Sequence, residues 1–178
     1  FRLPASMNQV EYFGRGPAEN YLDRNAGSMI GLYKSTAEEL YFPYVRPQEN
    51  GHHTDTRWVS LSTGKKGLLI QADNTIGFNA LRNSIEDFDD EEATGLPRQW
   101  SNFTPEQVAN HDEAAAKSVL RRQHHINDIT PRDFVEVCVD LKQQGVAGYD
   151  SWGSRPEPAY TLPANREYNW GFTLIPLK

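Results

Sequence analysis

The sequence contains one cysteine, Cys138, among 178 residues. That scarcity excludes an internal disulfide and any metal site built from cysteines. Cys138 lies in Phe134-Val135-Glu136-Val137-Cys138-Val139-Asp140-Leu141. In a strand, Val135, Val137, Val139 and Leu141 share one face, and Glu136, Cys138 and Asp140 share the other. The carboxylate neighbours oppose a thiolate, so the expectation is a structural thiol. Positive charge is also in short supply: 18 Lys and Arg stand against 24 Asp and Glu, and no basic cluster exceeds Arg121-Arg122. Nucleic acid and anionic membrane surfaces are therefore excluded as expected partners, and a neutral ligand suits the surface better. No apolar run approaches the length of a membrane helix. The chain opens on Phe1 with neither a basic n-region nor an apolar h-region, so it reads as part of a longer polypeptide. Any sorting signal then lies elsewhere, and cytoplasm and periplasm both stay open.

A strand–helix–strand rhythm is missing as well, which argues against a parallel sheet. What is present is alternation. Trp58 to Ser62 alternates, Gly67-Leu68-Leu69-Ile70-Gln71-Ala72 is a short apolar run, and Phe134 to Leu141 alternates over its whole length. Tyr168, Trp170, Phe172 and Leu174 fall on one face of an expected last strand, with Pro and Gly in nearly every gap. The predicted class is mainly antiparallel β. One short helical insertion is expected between Thr104 and Arg122: Thr104 caps, Pro105 takes the first position, and Gln107 completes a capping box ahead of Val108, Ala115, Val119 and Leu120. The acidic stretch Glu86 to Glu92 is expected to be a solvated loop, since it lacks the spacing and glycine of a calcium loop. His52-His53 and His124-His125 are adjacent pairs whose members point to opposite sides of a strand, so neither chelates as it stands.

The most informative stretch is Gly148-Tyr149-Asp150-Ser151-Trp152-Gly153-Ser154. It presents a large, rigid aromatic on a loop with little bulk beside it, and such a residue either meets a ligand or folds back onto its own sheet.

Three segments, in order, carry a resemblance: Gly14-Arg15-Gly16-Pro17-Ala18-Glu19-Asn20-Tyr21-Leu22-Asp23-Arg24; Pro43-Tyr44-Val45-Arg46-Pro47-Gln48-Glu49-Asn50-Gly51 running to Arg57-Trp58; and Asp150-Ser151-Trp152-Gly153. Together they resemble the C-terminal domain of the large bacterial β-galactosidases of glycoside hydrolase family 2. The resemblance runs from about Val10 to the end and is poor between roughly Asp87 and Arg122. It departs from the family at His52-His53, where an Asn or similar residue is usually followed by Arg. The implied fold is an antiparallel β-sandwich of the supersandwich, galactose mutarotase-like kind. The whole chain, residues 1–178, would be a single domain, the C-terminal portion of the family's last domain.

The same resemblance implies that Trp152 stacks on a sugar in the active site of a parent enzyme that hydrolyses terminal β-D-galactosides. Asp150 and Ser151 would shape its loop and lie beside the substrate. Both catalytic glutamates of the family sit in a separate barrel domain, so this chain would carry no catalytic residue and be silent alone. No cofactor or metal is expected within it, and any magnesium or sodium that the parent uses belongs to other domains. Its partners would be the β-galactoside, other domains of the same polypeptide and, in an oligomeric parent, other subunits. Read from the residues, Glu19, Asp23, Arg24, Glu49 and Arg57 form a structural ion-pair network, with Arg57 able to fork onto Glu49 or Asp23, because charges in a sandwich must be paired. Two other readings stay open. A free-standing carbohydrate-binding module would use the same Trp152 face. An aldose epimerase of the mutarotase type would need Glu19 or Glu49 within reach of His53 or His125 in an open groove.

Overall fold

The computed structural model describes residues 1–88, 126–150 and 152–178. The helix expected between Thr104 and Arg122, the pair His124-His125, the acidic residues Asp89 to Glu92 and Ser151 lie outside the described residues.

The chain divides into two compact units: one of Phe1–Phe42, Asn50–Arg82 and Arg132–Lys178, the other of Pro43–Glu49 and Asn83–Pro131. In the second unit a 3-10 turn spans Ile85–Asp87, and the Asp87 carboxylate accepts the Ser84 amide at 3.0 Å. Asp87 is buried rather than solvated, which corrects the reading of the acidic stretch at this residue. A carboxylate that satisfies a free backbone donor at a helical start gains a partner that water would otherwise supply.

The first unit is the β domain. Its strands are β1 (Arg2–Pro4), β2 (Gln9–Gly16), β3 (Met29–Thr36), β4 (His53–Ser62), β5 (Gly67–Leu81), β6 (Phe134–Asp140) and β7 (Phe172–Leu177). All the pairings are antiparallel, in the order β1-β6-β5-β4-β2-β3. One edge of the long β5 is shared: Gly67 to Ala72 pair with β7, and Gly77 to Leu81 pair with β6. The fold is thus mainly antiparallel β, as the alternation predicts, and its single described sheet is consistent with one layer of a sandwich.

Cross-strand register explains the core. Val10 faces Leu61, Tyr12 faces Val59, and Val59 faces Ile70, so these side chains share one side of the sheet, and all are buried. Val137 faces Ala80 and Val139 faces Phe78, and Val137, Ala80 and Phe78 extend the buried side. Burying a side chain of this size contributes roughly 1.5–3 kcal/mol. The other side is not closed. Phe13 faces both Leu32 and Trp58 there, and Phe13 and Leu32 are exposed. Ile30 is exposed on the same edge strand.

Three strands differ clearly from their predicted limits: β4 begins at His53, five residues before Trp58. β5 runs nine residues past Ala72, through a register irregularity opposite Thr56, where Asp55 takes φ 52°. The polar stretch Asp73-Asn74-Thr75 breaks the apolar pattern there without ending the strand. The last strand begins at Phe172, not near Tyr168, whose hydroxyl donates to the Pro163 carbonyl at 2.9 Å.

Candidate functional site

Two groups of polar residues stand out, and both lie in the β domain. The first is built on Glu19 and Asn20, just after β2. Asn20 is fully buried: its amide nitrogen donates to Arg15 O and Ala18 O, and its Oδ1 accepts Thr54 N at 3.0 Å and Thr54 Oγ1 at 2.6 Å. The Glu19 side chain is 3% exposed, its Oε2 accepts the Gly51 amide at 2.7 Å, and its Oε1 lies 3.8 Å from Arg24 Nη1. The pairing of Glu19 with Arg24 is present, and the shorter contact goes to backbone.

His52 and His53 take opposite sides, as neighbours in extended backbone must. The His53 ring lies 4.9 Å from Tyr12 and 5.2 Å from Phe78, with Nδ1 2.9 Å from Gly51 O and Nε2 3.3 Å from Pro17 O. Carbonyls only accept, so a neutral ring satisfies one of them, and the shorter distance favours the proton on Nδ1. Burial lowers the His53 pKa against the raising effect of those carbonyls and of Glu19. His52 stacks on Tyr21 at 5.6 Å, and neither of its ring nitrogens has a partner. Burial, and secondarily its histidine neighbour, brings its pKa down to about 3. It borders a small cavity of about 70 Å³ together with Thr54, Thr75 and Gln143. Gly77 leaves the room for that ring, since a Cβ there would stand 2.5 Å from His52 Nε2.

The second group is the Trp152 loop. The Trp152 indole is 92% exposed, and Tyr149 beside it is also exposed. The backbone under the indole is well held. Asp150 Oδ1 accepts Trp152 N at 2.8 Å and Ser154 N at 3.3 Å, and Tyr149 N donates to Ser154 Oγ at 3.1 Å. A carboxylate that takes the amide two residues on makes its own turn, which is the loop-shaping work expected of an aspartate here. Gly148 and Gly153 both have φ 82°, and a Cβ at either would meet nothing within 4 Å. These glycines are required by backbone conformation, not by crowding.

Asp23 joins this loop to the first group. Its Oδ1 accepts Val146 N at 3.0 Å and its Oδ2 accepts Ala147 N at 2.8 Å. This corrects the sequence reading of Asp23 as a partner for Arg57. Arg57 instead donates to Asp55 O and lies over the Phe13 ring at 5.8 Å, while Arg15 takes the Asp55 carboxylate at 2.5 Å. Glu49 belongs to the second unit. Sequence reasoning missed Asn20 and Arg15 as network members, although both stand inside the first motif. For Asn20 the available signal was a short polar residue directly after Glu19 beside a Gly-Pro turn.

The acid–base pair that an epimerase needs does not form between Glu19 and His53: both are buried, and Glu19 Oε2 and the His53 ring nitrogens face backbone groups. Among the described residues, no group of three or more His, Cys, Asp or Glu could hold a metal ion, and no helix is long and apolar enough to cross a membrane.

Known sequences match this chain over nearly its whole length. A family model described as "Beta galactosidase small chain" matches residues 1–174. The chain is 34% identical over 178 residues to a protein named β-galactosidase from Priestia megaterium, covering 99% of this chain and 14% of that protein. It is 28% identical over 172 residues to a β-galactosidase of Vibrio cholerae, with 97% and 13% covered, and 28% identical over 179 residues to one of Streptococcus thermophilus, with 99% and 14% covered. The chain therefore spans about one seventh of the length of these relatives. A match over nearly every residue places this chain in the β-galactosidase small chain family.

Proposed function

We propose that the chain is a non-catalytic domain, C-terminal in its polypeptide, of a family 2 glycoside hydrolase that cleaves terminal β-D-galactosides, and that Trp152 is its contribution to the active site. The observation that carries this reading is a 92% exposed indole on a loop whose backbone is held by carboxylates. An indole left in water forgoes about 2 kcal/mol or more of burial. Positive-φ glycines on either side shape the loop that presents that face. Stacking on a pyranose recovers the contact and leaves the sugar hydroxyls free to bond elsewhere.

The carboxylates support the non-catalytic half of the proposal. A glycosidase of the usual kind needs two of them flanking one glycosidic bond. Glu19 is buried on the Gly51 amide, Asp150 holds amides of its own loop, and Asp23 holds those of Val146 and Ala147. The exposed apolar side of the sheet, with Leu32 and Phe13, supports packing against other domains of the parent or another subunit.

The experiment is substitution in the full-length enzyme. Trp152→Ala should weaken galactoside binding while the protein stays folded. Affinity equal to wild type would overturn the platform. The purified chain alone should not turn over a chromogenic galactoside, and turnover abolished by Asp150→Asn would place chemistry here after all.

A further inference from the structure

The Trp152 platform needs something to hold its loop in place, and the loop's own hydrogen bonds do not supply it. Asp150 and Ser154 fix the turn internally, but an internally fixed turn can still swing as a unit. The link outward runs through residues 145–147. There two successive amides, Val146 N and Ala147 N, converge on one carboxylate, that of Asp23. Ala147 has φ 54°, a conformation that a residue with a side chain adopts at a cost, and it brings the amides onto the same anion. Gly145 is fitted to the same group: a Cβ there would stand 2.5 Å from Asp23 Oδ2 and 2.6 Å from its Cγ. On its other side Gly145 N donates to Tyr160 O at 2.7 Å. Tyr149 OH lies 3.5 Å from Asp23 Oδ2.

Asp23 is itself anchored. It sits in the tight turn closed by Tyr21 and Arg24, whose backbones bond in both directions. Tyr21 is buried against His52, and Asn20 N donates to His52 O at 2.7 Å. The turn is therefore part of the buried polar knot at the start of β4.

We propose that Asp23 is a positioning residue for the Trp152 platform: its carboxylate ties the Val146–Ala147 backbone to the turn after β2 that the buried Tyr21 anchors, so the indole is presented at a fixed place. This rests on the reading of Trp152 as the sugar platform. Asp23 touches no substrate. Its effect on the sugar passes through the position of the indole, and a misplaced group in an active site loses much of its contribution. A carboxylate that accepts one amide on each oxygen also binds more strongly and directionally than a neutral acceptor.

The test is a set of variants of the full-length enzyme: Asp23→Asn, Gly145→Ala and Trp152→Ala, with the two doubles that pair Trp152→Ala with each of the others. Asp23→Asn keeps the shape but turns one acceptor into a donor facing an amide. Gly145→Ala leaves Asp23 intact and pushes its carboxylate away, so a folding defect peculiar to one variant does not decide the matter. Asp23→Asn and Gly145→Ala should each weaken galactoside binding about three- to tenfold and speed hydrogen exchange in a peptide spanning residues 145–153. In the Trp152→Ala background neither should weaken binding further by more than about twofold, since residues acting through one another are not additive. Wild-type binding in both Asp23→Asn and Gly145→Ala, or full additivity with Trp152→Ala, would overturn the positioning role. If Trp152→Ala itself binds like wild type, the platform reading falls and takes this inference with it. If only Trp152→Ala is impaired, the platform stands and the positioning role of Asp23 falls.

Discussion

The polar knot around Glu19 and the loop around Trp152 use the same device at opposite extremes of exposure. In each, a carboxylate accepts backbone amides that would otherwise need water. Glu19 does so inside the protein, with its side chain 3% exposed. Asp150 does so beneath an indole that is 92% exposed. Inside, no water can replace the lost partner, so the bond secures the fold. Outside, water competes for the same groups, and what the bond contributes is chiefly geometry. The lesson is that an aspartate or glutamate on a backbone amide has no single meaning, and burial decides whether removing it costs stability or placement.

The comparison is broken most directly at the buried end. Glu19→Ala should lower the free energy of unfolding by about 3 kcal/mol, because the Gly51 amide is left buried without its acceptor. Glu19→Gln should cost less, since an amide oxygen can still accept from Gly51. Urea denaturation of the three proteins measures both, and a loss below about 1 kcal/mol for the alanine would mean that the knot is not an anchor.

Acid probes the same knot. Burial depresses the pKa of His52 to about 3 and lowers that of His53. Below about pH 6.5 the unfolded chain binds protons at these rings that the folded chain refuses, so the stability is fully present above that pH and is lost as pH falls toward the folded values. Between pH 6.5 and 5, His52 alone should account for roughly 2 kcal/mol. Melting temperatures across this window should fall less steeply for His52→Gln than for wild type. Equal slopes would show that the ring is not held neutral by burial.

The exposed end should give the reverse pattern. Trp152→Ala is expected to change domain stability by no more than about 0.5 kcal/mol, as for other exposed sites, while weakening sugar binding in the full-length enzyme by about 1–2 kcal/mol. Calorimetric titration with galactose, beside a thermal melt, reads the two effects separately. A large loss of stability would make Trp152 part of the core and erase the contrast.

Legibility in the sequence follows the range of the interaction. The strands read as alternating, β4 and β6, are present because side-chain alternation is local and survives in any context. β2 was recognised only as a motif, because two of its four inward positions are Gly14 and Gly16 and the apolar rhythm disappears there. The reason for Gly14 is tertiary: a Cβ would stand 2.9 Å from Thr56 Cα on β4. Of the first group, Glu19 and Arg24 were legible as opposite charges near a turn, whereas Asn20, which bonds Arg15 O, Ala18 O and Thr54, carries no charge to announce itself.

By itself the sequence determined the antiparallel β class, the isolated thiol and the flexible-residue frame of an aromatic loop, since each depends on residues within one or two turns of chain. Which distant amides Asp23 and Glu19 take was decided only by the tertiary structure. Asp23 and Val146 are 123 residues apart, and Glu19 and Gly51 are 32 apart. Glu19 meets Gly51 because β2 and β4 are antiparallel neighbours, and Asp23 meets Val146 because β5 holds the start of β4 opposite Phe78 on one edge and the end of β6 opposite Gly77 on the other. Spacing along a chain specifies no partner across a sheet, and a charge finds its meaning only when strand order has chosen its neighbours.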